Sequence, residues 1–343
     1  MTPEDRAQDV LAPPARAGIF LTVTVRPGQE GAARDALADV PGLLRAVGFR
    51  IPETRLSCVV GIGSELWDRT YDDVPRPRHL HPFEPLEGGK HAAPATPGDL
   101  LFHLRATRPD VCFEMSHQLM RRFDGIVDCA DEVHGFRYWD ERDLLGFVDG
   151  TESPTSHVAA VQAALIDEDD PAYVGGSYVI VQKYLHDLTA WDALPVEQQE
   201  LVIGRRKLSD VEIPDAAKPA NSHVALNTIE DPDGTERQIV RDNLPFGSAG
   251  AGEFGTYFIG YAADPGVTEQ MLRNMFIGRP PGNYDRILDF STAVTGCLFF
   301  VPPADFLEDP EAFASPTSTA DADTDSGEPD GSLGIGSLRR SGT

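Results

Sequence analysis

The chain has 343 residues, 41% of them hydrophobic and 24% charged, enough for a normal core and too apolar for wholesale disorder. This length suggests one large domain or two of ordinary size. Lys plus Arg number 29 against 55 Asp plus Glu, a net charge of -26, which argues against nucleic-acid partners and anionic membrane surfaces.

In chain order, residues 1–17 are polar with paired prolines and are expected to form a flexible arm. Gly18–Arg26 alternates β-formers and predicts a strand; Leu37, Val40, Leu43, Leu44 and Val47 recur at helical spacing and predict one helix over about 30–47. Leu56–Ile62 predicts a second strand. Residues 67–98, rich in Pro, Gly, His and Asp, read as an irregular insertion. A strand over Asp99–Thr107, a helix over Asp110–Phe123 and a strand near Ile126–Val133 complete a ferredoxin-like half, 18–150. The second half, 151–313, repeats the plan. It has a strand at Gly176–Tyr184, a helix at Pro195–Arg205, a strand at Gly255–Tyr261, a helix at Thr268–Ile277 and a strand at Cys297–Val301. A long segment, about 206–254, interrupts it, and loops of such length in compact domains are usually functional. The fold class expected from this order is α+β.

Residues 314–330 are dominated by small, polar and acidic types and predict a disordered acidic linker. Apolar residues then return in GSLGIGSLRR, where Leu333, Ile335 and Leu338 are spaced by glycines, which suggests a docking peptide over 331–343. The N-terminus has no apolar h-region, and no run approaches a membrane span, so a soluble, cytoplasmic protein is expected. Cys58, Cys112, Cys129 and Cys297 form no C-x-x-C pair, which excludes a zinc ribbon, a thioredoxin-type motif and covalent C-x-x-C-H attachment of haem. Scattered thiols also fit a reducing compartment.

Several signals fail on context. Gly250–Gly255 matches G-x-G-x-x-G but opens a strand instead of a helix, so turn glycines are the better reading. Glu114 and His117 have di-iron spacing without a second copy. His79, His81 and His91 read as solvated loop histidines. Three signals remain. Taken alone, Asp149 in GFVDGTESP is a turn aspartate. His223 in NSHVAL is more often a satisfied core histidine than a ligand. Arg241 and Asn243 in IVRDNLPF, two apart, would share one face of a strand and fit an ordinary salt bridge.

Together, and in this order, these motifs resemble the dye-decolorising peroxidases, a haem peroxidase family. IGRRKLSD (203–210), EFGTYFIGY (253–261) and DRILDFSTAVTGCLFFVP (285–302) extend the likeness over roughly 18–310, and it is closest to the compact B-type branch. The resemblance implies two ferredoxin-like halves forming a dimeric α+β barrel, with one non-covalent haem b per chain held by the second half. It implies His223 as the proximal iron ligand, with Asp285 behind it and Asp289 as the alternative. Arg205 would pair with a haem propionate, and Val148, Gly150 and Phe258 would contact the cofactor. Asp149, Arg241 and Asn243 would form the distal face. There Asp149 would move the peroxide proton, if burial lifts its pKa, and Arg241 would stabilise the departing hydroxide.

The implied activity is reduction of hydrogen peroxide through an oxo-ferryl intermediate, with oxidation of dyes, phenols or other one-electron donors. Tyr184, Tyr257 or Trp191 would be available to relay electrons. A homo-oligomer is implied, a hexamer being the suggested size. DGSLGIGSLRR (330–340) resembles the peptides that load cargo into encapsulin shells, which implies a shell partner and residence in a nanocompartment. Two other readings are a haem-handling protein that stores haem or removes its iron, and a haem-free ferredoxin-like binding protein. The second leaves His223 and the long insertion unexplained.

Overall fold

The computed structural model describes residues 2–151 and 153–314. The docking peptide, with Leu333, Ile335 and Leu338, and the linker beyond Ala314 lie outside the described residues.

The first half runs β1 (Ala17–Val25), α1 (Glu30–Ala38), α2 (Val40–Gly48), β2 (Ser57–Gly63), β3 (Leu100–Ala106), α3 (Pro109–Arg122) and β4 (Val127–Phe136). One helix was expected where α1 and α2 stand. Pro41 causes the break: it has no N–H to donate and its ring blocks the preceding turn, so the chain restarts a helix with proline in its first turn. The second half runs β5 (Ser177–His186), α4 (Val196–Ile203), α5 (His223–Asn227), β6 (Val240–Arg241), β7 (Leu244–Ser248), β8 (Glu253–Ala262), α6 (Pro265–Phe276), β9 (Ser291–Ala293) and β10 (Cys297–Val301). Asp264 caps α6 by accepting from the Gly266 amide at 2.9 Å, which starts that helix earlier than Thr268.

All ten strands join one antiparallel sheet in the order β6-β8-β5-β10-β2-β3-β1-β4, with β7 also on β8 and β9 also on β5. Each half therefore has its fourth, first, third and second strands side by side, the ferredoxin-like order, with β6 and β7 together as the second strand of the later half. The halves meet where β10 pairs with β2, Phe299 opposite Gly63 and Phe300 opposite Ile62. The sheet curls until β4 approaches β7: a Cβ on Gly135 would lie 2.6 Å from Leu244 Cβ, so only glycine fits there. Inside the curl, Phe20, Val59, Leu101, Val181, Tyr257 and Phe299 form a core shared by both halves. A larger core fills the space between the sheet and the helices.

Two expectations need correction. The N-terminal segment is packed, not loose. Gln8 exchanges hydrogen bonds with Val60 N and O at 2.8 and 3.0 Å and donates to Pro302 O at 2.9 Å, and Val10 is 1% exposed. The 67–98 region is also not wholly irregular. A helix over Ser64–Thr70 buries Trp67 against Tyr173, Phe300 and Phe306.

Candidate active site

The long insertion of the second half makes the site. Ser222 caps α5, its Oγ accepting from Ala225 N at 3.4 Å, so the helix opens on His223. Gly204, left-handed at φ 99°, ends α4 and lies so close that a Cβ would meet Ser222 Oγ at 3.0 Å. Asn274 of α6 donates to Leu226 O at 2.9 Å and fixes α5 from the other side.

His223 Nδ1 donates to Asp285 Oδ2 at 2.7 Å. Asp285 is fully buried, and its Oδ1 accepts from Ile287 N at 3.0 Å. Asn227 Nδ2 donates to His223 O at 2.7 Å and lies 3.4 Å from Asp285 Oδ2. Asp289 is turned away, ion-paired with Lys90 and bonded to His91 at 3.0 Å and Tyr284 at 3.2 Å. Asp285, and not Asp289, therefore stands behind His223. Burial works to lower the His223 pKa, but the charge of Asp285 and its hydrogen bond outweigh that and raise it. With Nδ1 committed to the carboxylate, Nε2 is left for the cavity.

That cavity is open on one side, with about 1090 Å³ of empty space when its mouth is included. Val148, Asp149, Gly150, Arg205, His223, Arg241, Asn243 and Phe258 all line it, with Asp285 behind His223. Asn243 Nδ2 donates to Asp149 Oδ1 at 3.4 Å, and Asn243 Oδ1 accepts from Ile259 N at 3.0 Å. Arg241 Nε is buried without a hydrogen-bond partner. Gly150 takes φ 87°, which releases the chain from the turn that carries Asp149. Arg205 donates to Asp210 O at 2.8 Å and lies 3.6 Å from Glu212. Asp149, Gly150, Arg241 and Asn243 also line a second, more polar pocket on their other side, walled by Arg137, Glu141 and Arg142.

Sequence reasoning missed two wall residues. Burial pushes the Asp143 carboxyl up to about 7, with the Asp149 charge adding to it. Asp143 Oδ1 accepts from Phe147 N at 3.0 Å, which closes the loop that leads to Asp149. Its position before GFVDG was the only signal available. His186 bonds Ser291 Oγ at 2.8 Å and Thr256 Oγ1 at 3.0 Å, so both its nitrogens are occupied, and burial pushes its pKa down to about 4. Of the aromatic residues considered as relays, Tyr184 lines the cavity. Trp191 is buried with its indole N–H on Leu145 O at 2.9 Å, and Tyr257 belongs to the core inside the curl.

Elsewhere, Gly250 and Gly252 lie in the connection from β7 to β8, as turn glycines do. His79, His81 and His91 pair with Asp169, Glu269 and Asp289.

Whether haem fits the cavity is decided by the chemistry of its walls. These are largely apolar, with Ile203, Ile239, Phe258, Met271 and Leu272 among them. The cavity offers one imidazole nitrogen backed by a buried carboxylate and two arginines, and it offers no thiolate. That donor set suits a flat apolar macrocycle with acidic edges and a single protein ligand. Residues 7–137 match the family described as Dyp-type peroxidase, N-terminal, and residues 140–306 match Dyp-type peroxidase, C-terminal. The chain belongs to the Dyp-type peroxidase family.

The dye-decolorizing peroxidase of Brevibacterium linens is 57% identical over 357 residues, covering 97% of this chain and 96% of its own. Among solved structures, the encapsulated DyP-type peroxidase from Mycobacterium smegmatis has a TM-score of 0.87 at 59% identity, over 89% of this chain and 98% of that one. A DypB variant from Rhodococcus jostii RHA1 in complex with heme has a TM-score of 0.86 at 56% identity, over 88% and 98%. The protein is a haem peroxidase, an oxidoreductase whose cofactor is haem. No helix among the described residues is long and apolar enough to cross a membrane.

Proposed function

We propose that this peroxidase reduces hydrogen peroxide and oxidises dyes, phenols or similar one-electron donors, with His223 holding the haem iron and Asp149, Arg241 and Asn243 handling peroxide. The observation that carries the reading is one cavity shared by a histidine with a buried carboxylate behind it and by an Asp–Arg–Asn set. Bound haem supplies the redox-active iron at which the O–O bond is cleaved.

The remaining work falls to the chain. Asp285 holds His223 in the tautomer that presents Nε2 and makes that nitrogen more electron-rich. Asp149 takes the proton from one peroxide oxygen and returns it to the other. The Arg241 guanidinium would stabilise the negative charge that develops on the departing oxygen until that proton reaches it, so that water leaves. Asn243, bonded to Ile259 N and to Asp149, aims the Asp149 carboxylate. Arg205 would hold a haem propionate, and Val148, Gly150 and Phe258 would contact the ring. The polar pocket beyond Asp149 suits the approach of a small polar oxidant, and the apolar cavity is left to the cofactor. Mere storage of haem would need only His223; the Asp149, Arg241 and Asn243 set favours peroxide chemistry over the haem-handling alternative. Stopped-flow mixing with peroxide tests this. Arg241→Leu should slow the reaction on the order of a hundredfold or more, and Asn243→Ala should slow it less. An unchanged rate in Arg241→Leu would remove that role.

The same proposal extends to the tail. Leu333, Ile335 and Leu338 would dock into an encapsulin shell, and the enzyme would reside inside that compartment in the cytoplasm. Support comes from the resemblance of the tail and from the encapsulated relative of Mycobacterium smegmatis. A homo-oligomer would present several tails at once and raise avidity. Deleting residues 331–343 should leave the Soret band and the peroxide kinetics intact while abolishing co-purification with a co-expressed shell. Equal loading of truncated and full-length enzyme would reject the targeting role.

A further inference from the structure

Arg241 and Asn243 line the cavity; Asp242 between them does not. Its carboxylate is 7% exposed and accepts from Arg105 Nη1 at 2.9 Å. Arg105 lies on β3 of the other half and is 1% exposed. Its guanidinium also donates to Asp9 O and, at 3.4 Å, to Ala12 O, both in the N-terminal segment. His103 Nε2 lies 3.9 Å from the same Asp242 oxygen, and His103 Nδ1 bonds the Tyr261 hydroxyl at 2.8 Å. Tyr261 in turn stands opposite Val240 in the β6–β8 ladder.

A buried ion pair is a weak device for stability. Taking both charges out of water is costly, and apolar residues of similar volume often do as well. Its stronger use is to fix register. Register is what this segment lacks: β6 is two residues long, and its backbone ladder is correspondingly short. Arg241 has a buried Nε with no hydrogen-bond partner, so its direction depends on the backbone beneath it.

We propose that the Arg105–Asp242 ion pair is a positioning device for peroxide chemistry: it locks residues 240–243 from the face opposite the cavity and so aims Arg241 and Asn243. The proposal rests on the role given to Arg241 above. It makes Arg105 of the first half, together with the carbonyls of Asp9 and Ala12 in the N-terminal segment, a support for Arg241 and Asn243 of the second half.

The test uses the haem-loaded enzyme with Asp242→Asn and Arg105→Lys, two conservative changes. Each is made alone and in an Arg241→Leu background. The readouts are the bimolecular rate with peroxide, the equilibrium affinity for fluoride followed at the Soret band, and the haem content. A misplacement of about 1 Å by a remote change can cost on the order of a hundredfold. The expected result is a ten- to hundredfold slower peroxide reaction and weaker fluoride binding at unchanged haem content, with Arg105→Lys the milder of the two. Once Arg241 is leucine, each change should have a much smaller effect, the part carried by Asn243. Equal losses in both backgrounds, or unchanged rate and fluoride affinity in both single variants, would overturn the positioning role. If Arg241→Leu alone is silent, the role of Arg241 falls, and this proposal falls with it. A normal Arg241→Leu effect beside silent Asp242→Asn and Arg105→Lys overturns the positioning proposal by itself.

Discussion

In the first half, β1 and β3 turn Ile19, Leu21, Val23, Leu100, Phe102 and Leu104 toward the helices, and α3 lays Val111, Cys112, Met115 and Leu119 directly on them. In the second half, β5 and β8 turn Tyr184, His186, Thr256 and Phe258 the same way, and these face a cavity whose far wall is Thr268, Met271, Leu272 and Met275 of α6. The strand order is the same in both halves. The difference lies in the side chains on one face and in the insertion that sets α5 against α6. A sheet face of aliphatic residues closes by packing, because every uncovered methylene costs about 0.8 kcal/mol. A face with His186, Thr256 and Ser291 satisfies its polar groups among themselves, and the space above it can stay open for a cofactor.

His223 offers the most drastic way to break this comparison. His223→Ala should leave the first half folded and remove haem retention and nearly all turnover. Asp285→Asn should weaken iron retention by about 10- to 100-fold, since partners behind a metal ligand carry effects of that size. The ratio of Soret to protein absorbance after gel filtration measures both. Full activity with haem bound in His223→Ala would move the ligand elsewhere.

Packing gives the next effect. Leu119→Ala leaves a hole in a closed core and should cost about 2–5 kcal/mol in urea unfolding, with the Soret position unchanged. Met271→Ala only enlarges a cavity that already exists and should cost the apoprotein less while loosening haem. Equal costs at the two positions would mean that the second half is as tightly closed as the first.

The smallest effect concerns pH. His186 has a folded pKa near 4 against an ordinary value of 6.5. Between those values the unfolded chain binds a proton that the folded chain refuses. His186 therefore contributes stability that is present above pH 6.5 and lost as pH falls toward 4. Urea midpoints of the apoprotein at several pH values should show that slope, and His186→Gln should flatten it. An identical slope in the variant would assign it to other groups.

Much of this molecule was legible locally. Strand alternation at Gly18–Arg26 and Cys297–Val301, and the helical spacing before Phe123, depend on neighbours a few residues apart, so the sequence alone located those elements. The three motifs kept their order and residue types, which is why the resemblance delivered His223, Asp149, Arg241 and Asn243 together. Other features depended on partners far away along the chain. Asp285 and Asp289 flank the same short turn, and no local pattern ranks them. Burial decides: Asp285 caps the turn from inside against His223, and Asp289 reaches the loop at Lys90 and His91. The N-terminal prolines read as a loose arm because nothing nearby in sequence shows that Gln8 will find Val60 and Pro302. The Arg105–Asp242 pair joins residues 137 apart, and each alone is an ordinary charged residue. Local geometry is set by short-range sterics and periodicity, which sequence records directly. Which charged groups become buried partners is set by where the sheet curls, and that is decided only when both halves have folded against each other.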